Sequence, residues 1–190
     1  MTITHFLQKA DIQIIFIKME FIHITSAEDF RAKDIYNSYI QSFPKDERRS
    51  EKQFNSLFAN GNVKVFSVLK DLQYIGYIIA WELTEFVFIE HFEIFSKFRS
   101  QKFGADVIKD LFRDYSKIIL ESEPETLDET AKRRIEFYKR NGFEIVETNY
   151  KQPPYDKEKN PVDLWLLANF QPEKLDWIRD EIYDVVYRCE

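Results

Sequence analysis

The sequence predicts a mixed α/β domain in which helices cover a central sheet. Apolar and aromatic side chains make up 44% and 16% of the 190 residues, enough for one well-packed core. The hydrophobic pattern switches between the two-residue period of strands and the 3.6-residue period of helices. In chain order the predicted elements are β-α-α-β-β-β-α-β-α-β-β-α. We expect residues 19–190 to form a single domain, preceded by residues 1–18 as an extension or an added strand.

The first third of the chain predicts one strand and two helices. Residues 20–25 alternate apolar and polar side chains, as a half-buried strand does. In the helix that follows, Ser26 is the predicted cap and Pro44 marks the end. Ser50 and Gln53 have the spacing of a capping box, which predicts the start of the second helix.

The middle of the chain predicts three strands, a helix and a fourth strand. Residues 63–69 and 74–83 predict paired strands, and residues 86–95 predict a strand rich in aromatic and β-branched side chains. Beyond Gly104 the apolar residues recur with a helical period, and residues 117–121 predict another strand.

The last third predicts a helix, two strands and a final helix. A capping box over residues 126–129 predicts the start of a helix that ends at Gly142. Residues 143–150 and 162–170 predict strands. The final helix follows Pro172, and its predicted apolar face consists of Leu175, Ile178, Ile182 and Val185.

A basic turn follows the strand at 86–95 and leads into a helix. Lys97, Arg99 and Lys102 precede Gly104, where the helical pattern begins. The first N–H groups of a helix lack partners within the helix and lie at the positive end of its dipole. The turn therefore predicts an anion site suited to phosphate.

The run Arg99-Ser100-Gln101-Lys102-Phe103-Gly104-Ala105 resembles the pyrophosphate-binding motif of the GNAT acetyltransferase superfamily, Gln/Arg-x-x-Gly-x-Gly/Ala. Arg99 takes the first place of the motif and Gly104 the place of its second glycine. Lys102 stands where the motif has its first glycine. A lysine there adds positive charge but disfavours a positive φ angle.

Residues 131–143 resemble a second recurring GNAT motif, a helix that ends in Phe/Leu-Tyr-x-x-x-Gly-Phe and leads into a strand. Tyr138 matches a tyrosine that lies near the coenzyme A sulfur in many members. Ala131 replaces a frequent asparagine of the family. The two motifs and the element order together cover residues 20–170, so the final helix lies outside the resemblance.

The resemblance implies a GNAT-like acyl-CoA acyltransferase fold with a mixed, largely antiparallel central sheet, and acetyl-CoA as the co-substrate. The pyrophosphate would bind at the basic turn, and the pantetheine arm would run along the main chain of the strand before it. The residues implied in coenzyme binding are Phe92, Glu93, Ile94, Arg99, Lys102, Phe103, Gly104 and Ala105.

Acetyl transfer to an amine requires a base, because an amine is protonated at pH 7. Strand alternation predicts Glu90 on one face with Phe88 and Phe92, where a raised pKa would suit a general base, and His91 on the opposite face. Glu90 is the first candidate, His91 the second and Glu121 the third. The alternative for Glu90 is an exposed charge or half of a buried ion pair.

Tyr138 is the candidate that returns a proton to the departing thiolate. Its alternative role is a core aromatic, because it shares a helical face with Ile135 and Ala131. The two roles are compatible, since a packed tyrosine can still present its hydroxyl group.

The leading functional prediction is an N-acetyltransferase that transfers an acetyl group from acetyl-CoA to an amine of a small molecule or peptide, by direct attack in a ternary complex. The alternative is a catalytically inactive acyl-CoA-binding sensor or interaction module of the same fold. A Rossmann-type nucleotide-binding domain is disfavoured, because the chain has no Gly-x-Gly-x-x-Gly run and no regular βαβ alternation.

Composition and charge argue against several classes of binding partner. A net charge of −6 argues against a nucleic-acid-binding protein, and no segment reaches the ~20 apolar residues of a membrane span. The single cysteine, Cys189, and three histidines without ligand spacing predict no disulfide framework and no metal. We expect a cytoplasmic protein, either a monomer or a homodimer.

Overall fold

The computed structural model describes residues 19–188. The predicted extension, 1–18, and Cys189 lie outside the described residues. The strands are β1 Glu20–Ile24, β2 Val63–Lys70, β3 Gln73–Glu82, β4 Val87–Ile94, β5 Ile118–Ser122, β6 Glu144–Gln152 and β7 Val162–Ala168. The helices are α1 Phe30–Ser42, α2 Glu51–Ser56, α3 Phe103–Asp114, α4 Glu129–Arg140 and α5 Leu175–Ile182, followed by a π-helical turn, Tyr183–Tyr187.

The seven strands form one sheet in the order β1-β2-β3-β4-β5-β7-β6. Every neighbouring pair is antiparallel except β4 and β5, which are parallel. The predicted element order and the mixed, largely antiparallel sheet flanked by helices are therefore confirmed. Within residues 19–188 no helix is both long and apolar enough to cross a membrane.

Helices pack on both faces of the sheet, and each face has its own apolar core. The face covered by α1, α2 and α5, here called the α1 face, buries Tyr39, Phe54 and Ile182 against the sheet. The opposite face, here called the α3 face, is covered by α3 and α4 and buries Ile108 and Ile135. A strand residue therefore reaches one helical layer or the other according to its side of the pleat.

Two predicted helix caps are wrong. Asp29 caps α1, since its carboxylate accepts from the Arg31 N–H (2.9 Å), whereas the Ser26 hydroxyl accepts from Glu28 in the preceding turn. Asp128 caps α4 and accepts from the N–H groups of residues 130 and 131, so Thr126 is not the cap. In both cases an aspartate closer to the helix competes successfully for the free N–H groups.

Two other predicted helix boundaries are confirmed at the start of α2 and the end of α4. Ser50 and Gln53 form the reciprocal hydrogen bonds of a capping box at the start of α2. Gly142 follows α4 with φ +91°, a left-handed conformation that glycine adopts without strain.

The chain after α5 departs from the predicted apolar face. Ile178 and Ile182 are buried as expected, but the π-helical turn places Val186 in the core and leaves Val185 partly buried. A π-helical turn has more residues per turn than an α-helix, so it shifts the following side chains around the axis. This shift also buries Tyr187, which contacts the site described below.

The β2–β3 hairpin has an unfavourable turn residue, which gives a stability prediction. Asp71 and Leu72 have φ angles of 54° and 63°, and Leu72 is 86% exposed. A left-handed backbone conformation destabilises the folded state by about 1–2 kcal/mol for a non-glycine residue. Glycine avoids this strain, but its greater freedom in the unfolded chain lowers the free energy of unfolding by about 0.4–1 kcal/mol. We expect Leu72→Gly to stabilise the domain by about 0.5–1 kcal/mol in urea unfolding. Leu72→Ala removes the same side chain but keeps the strain, so an equal gain in that control would contradict the explanation.

Candidate active site

Strands β4 and β5 separate in the middle of the sheet. Their parallel pairing covers only Val87–Ile89 and Ile118–Leu120, so Glu90 and Glu121 are the first residues beyond it. The opposite edge of β4 stays paired with β3 as far as Ile94. A gap therefore opens between β4 and β5, and its first residues are Glu90 on β4 and Glu121 on β5.

Glu90 is the extra residue of a β-bulge. Ile79 pairs with His91 and Ala80 pairs with Ile89, so Glu90 has no partner of its own on β3. The predicted alternation is consequently wrong at this point. Glu90 and His91 both project to the α1 face, and Phe92 packs on the α3 face.

The Glu90 carboxylate is fully buried and is held by three side chains. Arg49 donates through Nε to Oε1 (3.0 Å), and Tyr155 donates to the same oxygen (2.7 Å). The Trp81 indole N–H donates to Oε2 (2.6 Å). The Arg49 side chain is only 6% exposed, and its guanidinium lies over the rings of Trp81 (5.3 Å) and Tyr155 (4.7 Å). Glu90 is thus half of a buried ion pair, the alternative that the sequence left open.

The pKa of Glu90 is lowered, so the predicted raised pKa is wrong. Burial is the largest single influence and by itself raises the pKa of this carboxyl group, but the Arg49 charge, His91 and the hydrogen bonds from Tyr155 and Trp81 together outweigh it. A carboxylate that is this stable as an anion is a weak proton acceptor at neutral pH.

His91 is buried and uncharged. Burial lowers its pKa to about 4, against the opposing influence of the Glu90 charge. Its Nε2 lies 3.2 Å from the Tyr39 hydroxyl, which accepts from the Arg49 N–H and so can donate to the imidazole. Nδ1 is buried without a hydrogen-bond partner among the described residues. At pH 7 the ring acts as a neutral packing group between Tyr39 and Phe43.

Glu121 has the opposite electrostatic environment from Glu90. Burial, together with the charges of Glu90 and Glu47, raises its pKa to about 8, against the hydroxyls of Tyr187 and Tyr150. Tyr187 donates a hydrogen bond to Oε1. Oε2 is buried and has no hydrogen-bond partner among the described residues. Two carboxylates at one gap with oppositely shifted pKa values are typical of an acid–base site.

Glu47, in the short turn between α1 and α2, extends this acidic environment. Burial and the neighbouring Glu123 raise its pKa to about 7, against the opposing charge of Arg134. Arg134 also forms an ion pair with Glu123. Glu47 is therefore a second carboxyl group beside the gap whose pKa is raised.

The basic turn has the backbone of a phosphate loop in spite of Lys102. Lys102 adopts φ 66° and ψ 0°, the left-handed conformation that its glycine counterpart in the motif would adopt freely. Its carbonyl accepts from the N–H groups of Ala105 (3.0 Å) and Asp106 (3.2 Å). The N–H groups of Phe103 and Gly104 precede these and have no acceptor among residues 19–188.

Gly104 allows the start of α3 to pack closely on α4. A Cβ atom at this position would lie 3.1 Å from the Phe137 ring and 3.7 Å from Ile94. The helix N-terminus is thereby fixed beside the end of β4.

Arg99 connects this turn to β4. Its Nε donates to the Ile94 carbonyl (2.8 Å), and its guanidinium forms an ion pair with Glu93 (3.3 Å). The Glu93 carboxylate also accepts from Ser38 and Ser42 of α1. Arg99 is 56% exposed, so its remaining donors are accessible to an anion.

The main chain of β4 alternates between β3 and the gap. The Phe95 N–H donates to Ile75 of β3 (2.9 Å), so the main-chain groups of Glu93 also face β3. The groups of Phe92 and Ile94 face the side from which β5 has separated. Of the three residues predicted to contact the pantetheine arm, two therefore present main-chain groups to the gap.

A solved structure of a GNAT-family protein from Bacteroides thetaiotaomicron matches this fold with a TM-score of 0.83 and 28% identity, over 90% of this chain and 99% of that chain. This chain belongs to the GNAT superfamily. The resemblance predicted from the two motifs is thus confirmed. No protein-family model and no curated protein matches the sequence.

More distant GNAT structures share the fold alone. An acetyltransferase from Elizabethkingia anophelis, solved with acetyl-CoA bound, has a TM-score of 0.53 at 15% identity, over 80% of this chain and 97% of that chain. The ribosomal-protein-S18-alanine N-acetyltransferase from Escherichia coli has a TM-score of 0.54 at 15% identity, over 83% and 98%.

Tyr138 of this GNAT domain lies on α4 and is 7% exposed. Its ring packs edge-on against Phe137 and Phe143, and burial raises its pKa to about 12. The core role of Tyr138 is therefore real. A phenol that keeps its proton at neutral pH is also able to act as a proton donor.

Sequence reasoning missed four of the side chains that build this GNAT site. Three partners of Glu90 lie 9, 41 and 65 residues away in the chain, and these separations correspond to no known sequence motif. The missed residues are Arg49, Trp81, Tyr155 and Tyr187. Within residues 19–188 no group of three or more His, Cys, Asp or Glu side chains could hold a metal ion. The predicted absence of a metal and the predicted cytoplasmic setting stay predictions.

Proposed function

We propose that this GNAT domain is an N-acetyltransferase that transfers the acetyl group of acetyl-CoA to an amine of a small molecule or peptide in a ternary complex. The observation that carries the proposal is Glu121, a carboxyl group with a pKa of about 8 at the point where β4 and β5 separate. Its pKa suits proton transfer from an ammonium group near neutral pH. The acetyl-CoA bound to the Elizabethkingia anophelis neighbour and the N-acetyltransferase activity in the name of the Escherichia coli neighbour agree with this class of reaction.

The coenzyme site is assigned to β4 and the turn after it. The pyrophosphate would bind the free N–H groups of Phe103 and Gly104, at the N-terminus of α3. Arg99 and Lys102 supply positive charge beside it, and Ala105 completes the first turn of the helix. The pantetheine arm would occupy the gap along β4, beside the main-chain groups of Phe92 and the N–H of Ile94, whose carbonyl already accepts from Arg99. Glu93 contributes indirectly, by holding Arg99.

We assign proton acceptance to Glu121 and not to Glu90, the residue ranked first from the sequence. Glu90 is stabilised as an anion by Arg49, whereas Glu121 has a free buried oxygen and a pKa near the pH at which it must accept a proton. The charge of Glu90 raises the pKa of Glu121 and so contributes to its basicity.

The proposed reaction combines proton transfers with one bond that forms and one bond that breaks. Glu121 takes a proton from the ammonium group, and the neutral nitrogen then attacks the thioester carbonyl. The C–N bond forms and the C–S bond breaks, with the electron pair leaving on sulfur. Tyr138 donates a proton to the thiolate, and the second proton that the attacking nitrogen loses on becoming an amide reprotonates Tyr138 through solvent, while Glu121 releases the first proton to solvent. Main-chain N–H groups of β4 at the gap would stabilise the developing oxyanion.

Tyr138→Phe tests the proton donor. We expect kcat to fall by about 10² with little change in acetyl-CoA affinity, because the missing hydroxyl acts on the leaving group. Phenylalanine keeps the ring that packs against Phe137 and Phe143, so thermal stability should hardly change. A variant with lower stability and unchanged kcat would assign Tyr138 to the core alone.

Two measurements on the full chain test the proposed function. At ~100 times its Kd, acetyl-CoA should add about 2.7 kcal/mol to the free energy of unfolding. Arg99→Glu, which reverses an exposed charge at the phosphate turn, should reduce this gain. Thiol release from acetyl-CoA over a panel of amines, polyamines and peptides then measures transfer. No stabilisation by acetyl-CoA would refute the coenzyme site.

The inactive acyl-CoA-binding module remains the second candidate, because one observation favours it. The Glu90 and Arg49 side chains are 0% and 6% exposed, and Tyr155 covers them, so this side of the gap is closed. Stabilisation by acetyl-CoA without thiol release for any amine would favour this candidate.

A further inference from the structure

The segment after α5 contacts the Glu121 carboxylate directly and the Glu90 carboxylate through Arg49. The Tyr187 hydroxyl donates to Oε1 of Glu121. One residue earlier, the Val186 carbonyl accepts from the guanidinium of Arg49 (2.8 Å), the partner of Glu90. The Tyr187 ring also packs against Tyr155 with its centroid 5.2 Å away. A part of the chain outside both GNAT motifs thus completes the site.

We propose that Tyr187 is a positioning residue that holds Glu121 by Oε1, so that Oε2 is left free to accept the proton of the substrate ammonium group. The proposal rests on the proposed function, since it refines the role of Glu121 within it. The geometry behind it is the asymmetry of the carboxylate: one oxygen is bound by Tyr187, and the other is buried without a partner among the described residues.

The backbone explains why Tyr187 can reach Glu121. Tyr183–Tyr187 is a π-helical turn, which rotates the chain so that Val186 and Tyr187 both point into the core. An uninterrupted α-helix would present these two side chains in another register. The π-helical turn therefore places this one hydroxyl at the end of β5.

The charged and titratable groups around Glu121 determine the direction of the pH effect. Tyr187 follows α5, Tyr150 lies on β6, Glu90 on β4 and Glu47 in the turn between α1 and α2. Burial and the two carboxylates raise the pKa of Glu121, whereas the two hydroxyls lower it. Removing the Tyr187 hydroxyl should therefore raise the pKa further.

Tyr187→Phe tests the proposal in the full-length chain. NMR of protein labelled with carboxyl-¹³C glutamate follows the titration of Glu121, whose signal is assigned by its loss in Glu121→Gln. We expect the midpoint in Tyr187→Phe to rise by about one pH unit, and kcat/KM at pH 7 to fall about tenfold with recovery at higher pH. Tyr183→Phe is the matched control, because Tyr183 lies in the same turn and donates to the Lys151 carbonyl (2.7 Å).

The outcomes separate this inference from the proposed function. An unchanged Glu121 midpoint in Tyr187→Phe, or an equal rise in Tyr183→Phe, would overturn the role of Tyr187. A rise confined to Tyr187→Phe, together with a shifted acid limb of the kcat/KM profile, would support it. A wild-type chain that acetylates no amine in the panel would overturn the proposed function, and the titration would still decide whether Tyr187 holds Glu121.

Discussion

Replacing Glu121 with glutamine should lower kcat/KM at pH 8 by at least about 10², while acetyl-CoA still binds. The amide has a similar shape but cannot accept the proton of the ammonium group. In the wild type, kcat/KM should fall as the pH drops through about 8, since Glu121 must be ionised to act. The measurement is thiol release across pH 6–10 with an accepted amine.

The same variant should be more stable than the wild type in alkaline solution. The pKa of Glu121 is raised in the folded state, so its stabilising contribution is full below the unfolded-state pKa and is lost as the pH rises through about 8. Glutamine carries no charge, so it removes this pH dependence. Lower activity with higher stability would distinguish a functional carboxylate from a structural one.

Glu90→Gln is the matched comparison, because both carboxylates begin the same gap. This variant leaves the Arg49 guanidinium buried without its counter-charge, so we expect a large loss of stability. The fall of kcat/KM at low pH should disappear when the base is removed. If it disappeared in Glu90→Gln and persisted in Glu121→Gln, Glu90 would be the base, as the sequence predicted.

Replacing Arg49 with alanine should destabilise the domain by about 3–5 kcal/mol, a large share of the 5–15 kcal/mol typical of a folded domain. Arg49 balances the buried charge of Glu90 and fills the space between Trp81 and Tyr155. Its loss leaves a carboxylate in an apolar environment without a cation. Urea unfolding at pH 7 measures the effect.

The loss of stability caused by Arg49→Ala should become smaller as the pH falls. In the wild type the pKa of Glu90 is lowered, so its stabilising contribution is present above the unfolded-state pKa and is lost as the pH falls through the lower folded-state pKa. Without Arg49 the buried carboxyl group becomes neutral at a higher pH. A variant deficit that stayed constant between pH 5 and pH 8 would contradict this explanation.

Two further variants control for other causes of the loss. Arg49→Met combined with Glu90→Gln removes both charges and keeps most of the volume, so it should recover much of the stability. Arg113→Ala removes an arginine that is 59% exposed and paired with Asp110 on the surface, and it should change stability by less than about 1 kcal/mol.

The basic turn before α3 is a feature that local sequence reasoning could predict. The order of strand, basic turn and helix was sufficient to locate the free N–H groups at Phe103 and Gly104, because helix termini expose them wherever they occur. The positive φ of Lys102 could not be derived from the residue itself, since lysine disfavours it. Contacts of the turn with its surroundings maintain that conformation.

The base assignment shows where local reasoning ends. Glu90 and His91 were placed on opposite faces because a regular strand alternates, and one bulge residue brought them to the same face. The pKa of Glu90 then depended on Arg49, a residue 41 positions earlier. A local sequence pattern cannot identify a partner so far away in the chain, so the direction of the pKa shift of Glu90 was not predictable.

The sequence by itself determined the order of strands and helices, the basic turn before α3 and the GNAT motifs, because periodicity, capping and turn chemistry act between residues a few positions apart. Only the tertiary structure decided that the pKa of Glu90 is lowered and the pKa of Glu121 is raised. Desolvation and charge act through space, and the groups that differ between Glu90 and Glu121 come from the α1–α2 turn, the β6–β7 loop and the chain after α5.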